Sequence, residues 1–295
     1  MSTMRLLSDF DGVWTDQAEE AQAVRDGFIA AIGEAAGQAP GQVQEQYESF
    51  LTSILAEPQL HGWAPAGRVT AFVDEDPLLQ TSSVAGWLDR EPKPSEAAAH
   101  WRETARSLGH DTVTSLANQV FGSATREHLA RGKHQLVPEA REVMDSLLAL
   151  GVEVVVVSNS DTSKLADLFE GIGLRPDIDL RLRGGAGKYV LGEGDASLQL
   201  GGRRVFVDRP RYASVLLEEN PDLVIGDVTS LDLALPFVLR ASGQLKPSLQ
   251  LCLRRHAHTP DWVLPSGQTG SEGRVLHDHA LDGVRGLLGM VPKES

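Results

Sequence analysis

The spacing of apolar residues changes along the chain in a way that divides it into segments. The run Met4-Arg5-Leu6-Leu7 is short, apolar and closed by polar residues, which predicts a strand with Asp9 at its carboxyl end. From Asp16 to about Leu136 the period becomes helical. Ala21, Val24, Phe28 and Ile32 share one helical face between Gln17 and Ala36, and Val43, Tyr47, Phe50, Leu51 and Ile54 share another before Pro58. Two more helices are predicted from Ser95 to Leu108 and from Asp111 to Ala130, with Ser95 and Asp111 as their caps. Residues 16–136 thus read as a helical insert after a single strand, leaving residues 1–15 and 137–295 for a second domain.

Past Pro138, Ala140, Val143, Met144, Leu147 and Leu148 make the i, i+3, i+4, i+7, i+8 stripe of a helix stopped by Gly151. The β-branched run Val152 to Val157 follows, the composition of a strand buried on both faces of a parallel sheet. A helix from Thr162 to Glu170 leads to a strand around Ile178 to Leu182. A hairpin is predicted with Lys188 to Leu191 and Arg204 to Val207 as its arms. A helix from Pro210 to Glu219, a strand Leu223-Val224-Ile225, a strand Leu249 to Leu253 and a helix from about Ala280 to Leu288 complete the alternation. Strands alternating with helices define an α/β fold with a doubly wound, Rossmann-like parallel sheet.

Charge narrows the partners. With 27 Lys+Arg against 41 Asp+Glu the net charge is −14, which argues against nucleic acid or an anionic membrane surface as a platform. The single cysteine, Cys252, excludes an intramolecular disulfide and a cysteine-built zinc site, and fits a reducing compartment. The start of the chain does not resemble a secretory signal, and the longest apolar runs fall short of the roughly 20 residues that span a bilayer. The expectation is a cytoplasmic protein with no membrane partner.

Ligands of doubly wound sheets gather at the carboxyl ends of the strands. Those ends carry Ser8-Asp9-Phe10-Asp11-Gly12, Val157-Ser158-Asn159-Ser160, and Gly226-Asp227 through Asp232. Converging carboxylates repel one another unless a cation joins them, and oxygen-only ligation suits Mg²⁺. A carboxylate nucleophile with a second acid two residues along can attack a phosphoryl group while the second acid protonates the leaving oxygen. Asp-x-Asp-Gly also opens an EF-hand calcium loop, but Thr15-Asp16-Gln17-Ala18-Glu19-Glu20 lacks the later ligands.

On these residues the sequence resembles the haloacid dehalogenase (HAD) superfamily, in particular its phosphatase branch. Asp9-Phe10-Asp11-Gly12-Val13-Trp14-Thr15 matches the first motif, Ser158 the second, and Gly226-Asp227 through Asp232 the fourth. The resemblance implies Asp9 as a nucleophile forming an aspartyl-phosphate, Asp11 as general acid and base, and Ser158 with Asn159 as phosphate-binding residues. It implies Mg²⁺ held by Asp9, the main-chain oxygen of Asp11 and Asp227, with Asp232 in support. The insert falls where the family carries a helical cap. The third motif is normally a Lys beside a Pro at the start of the helix before the last acidic motif. Here that place reads Asp208-Arg209-Pro210, which favours Arg209 by position, while Lys188 has the right chemistry farther upstream. Arg in place of Lys exchanges a compact ammonium for a planar fork.

The resulting expectation is a Mg²⁺-dependent phosphatase of a small phosphorylated metabolite. A phosphotransferase or mutase would use the same intermediate, and a catalytically weakened HAD-fold binding or regulatory protein would fit the displaced Lys. His256 with His258, and His277 with His279, read as parts of polar loops rather than zinc ligands, with a polar loop expected between Arg254 and Gly273. Trp63, Trp87 and Trp101 read as helix-packing residues.

Overall fold

The computed structural model describes residues 3–64, 67–132, 135–265 and 275–292. The chain divides into two compact units, one formed by Met1–Asp16 with Gln135–Ser295 and the other by Gln17–His134.

Strand β1 (Arg5–Ser8) opens the first unit. The second unit then carries helices α1 (Ala18–Ala36), α2 (Pro40–Leu55), α3 (Leu79–Arg90), α4 (Glu96–Ser107) and α5 (Val113–Ala130), with the two-residue strands β2 (Gly62–Trp63) and β3 (Ala71–Phe72) paired antiparallel. Its core holds the expected stripes: Phe28 and Ile32 of α1 and Val43, Tyr47 and Ile54 of α2 are fully buried. Trp101 packs edge-on against Phe28 and Phe50, at 5.5 and 5.3 Å between ring centroids, and Trp87 lies 5.8 Å from Phe50. Helix α4 is capped as expected, with Ser95 Oγ accepting from the Ala98 amide at 3.2 Å. At α5 the cap is Thr112 rather than Asp111, because it is Thr112 Oγ1 that reaches the Ser115 amide at 3.0 Å. Helix α3 escapes the sequence pattern: its buried face mixes Thr81, Ser83 and Gly86 with Val84, Ala85 and Leu88, and no side chain caps it.

The first unit resumes with α6 (Ala140–Ala149), β4 (Glu153–Val157), α7 (Thr162–Gly171), β5 (Arg181–Arg183), β6 (Ser197–Leu200), β7 (Arg203–Phe206), α8 (Pro210–Glu219), β8 (Leu223–Gly226), α9 (Ala234–Ala241), β9 (Gln250–Arg254) and β10 (His279–Leu281). Six strands form one sheet in the order β10-β9-β8-β1-β4-β5, and every neighbouring pair is parallel. With its flanking helices this is the expected Rossmann-like α/β architecture. Strand β1 is central, between β8 and β4, and Val154 to Val157 of β4 are buried, as a strand covered on both faces requires.

Three local expectations are corrected. Lys188 to Leu191 is not a hairpin arm: β6 pairs with β7 across Gly201-Gly202, both at left-handed φ of +53° and +73°. Two successive positive φ values are what a two-residue hairpin turn with the right twist demands. The strand near Ile178 starts later, at Arg181, with Ile178 itself exposed. The terminal helix is replaced by β10 and a 3-10 turn at Val284–Gly289, because Gly283 between them is extended and cannot continue a helix. The expected loop between Arg254 and Gly273 contains a short 3-10 turn at Asp261–Val263, and its portion beyond residue 265 lies outside the described residues.

Candidate active site

The parallel register fixes which side chains meet. Asp9 follows the last residue of β1, and its amide donates to the Ile225 carbonyl of β8 at 2.9 Å. Ser158 follows β4, and Asp227 follows β8. Asp232 lies in a π-helical turn, Thr229–Leu233, with Oδ2 accepting from the Val228 amide at 3.0 Å. One carboxylate oxygen each from Asp9, Asp227 and Asp232 comes within 4.8 Å of the others. Among the described residues no histidine joins such a group.

Two glycines permit this approach. A Cβ on Gly12 would lie 1.9 Å from Asp227 Oδ2, and its φ of +77° is one that L side chains rarely adopt. A Cβ on Gly226 would lie 2.2 Å from the Asp232 Cβ. The main chain is therefore packed directly onto two of the three acids. An oxygen-only cradle of this kind fits a hard divalent cation such as Mg²⁺.

Lys188 supplies the opposite charge. Its Nζ lies 2.7 Å from Asp9 Oδ1 and 2.9 Å from Asp232 Oδ1, and the side chain is buried. Burial alone would favour the neutral amine, yet Asp232 and Asp9 outweigh it and hold the ammonium's pKa above its ordinary value. Burial and then the neighbouring Asp232 also raise the pKa of the Asp9 carboxyl, to well above the usual carboxylate range, against the pull of Lys188. A bound cation would relieve that penalty.

Arg209, favoured by position in the sequence, does not take this place. Its Nε and Nη2 both donate to the Phe206 carbonyl at 3.1 Å, and its Nη1 donates to the Lys188 carbonyl. The hairpin between Lys188 and Pro210 explains the difference, since it separates the lysine from the helix it would ordinarily adjoin in sequence. Asn159 also acts on the lysine main chain, with Oδ1 accepting from the Lys188 amide at 2.8 Å.

Asp11 stands apart from the three clustered carboxylates. Its Oδ2 accepts from both Ser158 Oγ and Ser160 Oγ at 3.2 Å, and Ser158 Oγ in turn accepts from the Ser160 amide at 2.9 Å. Ser160 was not nominated by the sequence, although it lies on the same strand-end loop.

His256 is a second residue the motifs do not reveal. Its Nε2 donates to the Gly12 carbonyl at 2.7 Å and lies 3.9 Å from Asp227 Oδ2, while its ring stacks on His258 at 5.0 Å. The available signal was position: His256 comes two residues after β9, at the carboxyl end of a sheet strand.

The model of the haloacid dehalogenase-like hydrolases matches residues 4–189, well over half of the chain, and the protein belongs to that family. It is a hydrolase of HAD type. No curated protein matches the chain in sequence. Similar solved structures include a HAD phosphatase from Thermococcus onnurineus, with 11% identity, a TM-score of 0.49 and 99% of each chain covered. They also include a 2-haloacid dehalogenase from Pseudomonas syringae, with 13% identity, a TM-score of 0.43, and 97% of this chain and 96% of that one covered. A haloacid dehalogenase-like hydrolase from Streptococcus pneumoniae is 14% identical, with a TM-score of 0.46 and coverage of 98% and 99%. No helix among the described residues is long and apolar enough to cross a membrane.

Proposed function

We propose that the protein is a Mg²⁺-dependent phosphatase of a small phosphorylated metabolite, acting in the cytoplasm through an aspartyl-phosphate on Asp9. The observation that carries this reading is the pairing of two differently held acids on one turn. Asp9 is paired with the buried Lys188, and Asp11, two residues on, is held by two serine hydroxyls. A hydrolase that cleaves a carbon–halogen bond has no leaving oxygen to protonate and no use for the second acid.

Asp9 Oδ1 accepts from Lys188 and, at 2.7 Å, from the Phe10 amide, so Oδ2 is the oxygen that attacks phosphorus. The bond from phosphorus to the ester oxygen breaks, its electron pair leaves with that oxygen, and Asp11 delivers the proton that makes it an alcohol. Water then attacks phosphorus, Asp11 takes its proton, phosphate departs and the Asp9 carboxylate is restored. Lys188 would face the oxygens on which charge accumulates, while the Ser158 hydroxyl holds Asp11. Asp9, Asp227 and Asp232, with the main-chain oxygen of Asp11, would hold Mg²⁺, whose charge offsets that of the carboxylates and the phosphoryl group.

A panel of phosphate monoesters assayed with Mg²⁺, beside 2-haloacids and phosphoryl acceptors such as sugars, tests the reading. Release of inorganic phosphate that is lost in Asp9→Asn and Asp11→Asn is expected. Halide release, or transfer to an added sugar in place of phosphate release, would replace it with the dehalogenase or phosphotransferase alternative.

A further inference from the structure

Lys188 sits in a loop, outside any helix or strand, yet its ammonium must meet two carboxylates at hydrogen-bond distance. A flexible four-carbon stem on an irregular stretch of chain gives poor positional control unless the main chain is fixed. The main chain is fixed on both sides, by Asn159 on the amide and by Arg209 on the carbonyl.

The guanidinium does more than occupy one carbonyl. Residues 189–208, between Lys188 and Arg209, leave the sheet and return through the β6–β7 hairpin. Phe206 ends β7 and Lys188 precedes the departure, so the two carbonyls that Arg209 grips belong to the two ends of that excursion. Arg209 is itself buried, and Pro210 begins α8 immediately after it. From the first turn of that helix Tyr212 donates its hydroxyl to the Asp232 carbonyl at 2.9 Å, and its ring lies 5.5 Å from Lys188 Nζ. The start of α8 therefore touches both partners of the Lys188–Asp232 pair through their main chains.

We infer that Arg209 is a positioning residue, whose fork ties both ends of the 189–208 excursion together and so holds Lys188 against Asp9 and Asp232. The inference rests on the reading of Lys188 as part of a phosphatase site, but its geometric part is measurable without turnover. A planar fork is suited to the task because two of its nitrogens converge on one carbonyl while the third reaches another, which an ammonium cannot reproduce.

The test is the rate at which Lys188 is acylated by an amine-reactive ester, read by peptide mass spectrometry against exposed Lys93, together with kcat and KM for p-nitrophenyl phosphate with Mg²⁺. In Arg209→Met, Lys188 labelling should rise by about 10- to 100-fold, as expected when a charge-assisted hydrogen bond is lost, and kcat should fall by a similar factor with a smaller change in KM. Arg209→Gln, which can grip one carbonyl but not both, should fall between the two and serves if the Met variant does not fold. The inference is overturned if a folded variant of this pair keeps Lys188 protection and kcat within about twofold of the parent, well below the effect of losing such a bond. If Asp9→Asn is as active as the parent, the phosphatase reading fails by itself, and the labelling rates still decide the role of Arg209.

Discussion

The ammonium of Lys188 lies 2.7 Å from Asp9 Oδ1, and both belong to a largely buried set that includes Asp232. One cation against two acids leaves the set short of positive charge. Removing that cation in Lys188→Met should destabilise the metal-free protein by about 3–5 kcal/mol, the usual cost of an uncompensated buried charge. Mg²⁺ should restore part of the loss, because it supplies the missing charge at the same carboxylates. Denaturant melts with and without Mg²⁺ check this, and a variant as stable as the parent in chelator would contradict it.

Gly12 has no room for a side chain, since a Cβ there meets Asp227 Oδ2 at 1.9 Å and the φ of +77° is strained for any L residue. Gly12→Ala should therefore cost about 1–3 kcal/mol of stability from the backbone alone. Displacing the Asp227 carboxylate should also lower kcat by about 100-fold, the scale of an ångström-sized misplacement in a site. Calorimetric Mg²⁺ titration should show weakened binding, and unchanged affinity would count against Asp227 as a ligand.

Much of this site could be read from the chain. The Val run of β4 and the acid-bearing ends of β1 and β8 are local signals, and a parallel sheet brings strand ends together without further information. The basic partner could not be assigned that way. Arg209 has the right neighbour in Pro210, but the β6–β7 hairpin removes Lys188 from that neighbourhood in sequence while returning it in space. The Gly201-Gly202 turn between two alternating runs was a legible hairpin signal that the run at Lys188 obscured. β10 was hidden for another reason: three residues carry too little pattern, and Leu281, Val284 and Leu288 happen to fall at helical spacing. His256 belongs to no motif, and only the pairing of β9 with β8 and of β8 with β1 brings it to Gly12.

His277 is buried, and desolvation lowers its pKa below the ordinary value of about 6.5. The folded state then binds fewer protons than the unfolded chain just below that value. Its stabilising contribution is complete above about pH 6.5 and is lost as the pH falls through that value toward the folded-state pKa. His277→Leu should flatten the fall in Tm on moving from about pH 7 to pH 5.5, and an unchanged slope would contradict the assignment.

Cys252 is buried in β9, and burial pushes its thiol up to about 12. The native protein should react with a disulfide-exchange reagent far more slowly than the protein in denaturant, because the thiolate is the reactive form. Equal rates would show that β9 opens freely.

On the proposed mechanism Asp9 becomes phosphorylated during turnover. Acid quench of the enzyme working on a phosphate monoester with Mg²⁺, followed by peptide mass spectrometry, measures this directly. One hydroxylamine-labile phosphoryl group on the peptide containing Asp9, absent from Asp9→Asn, is the predicted result. Phosphate release with no modification of that peptide, undiminished in Asp9→Asn, would contradict it.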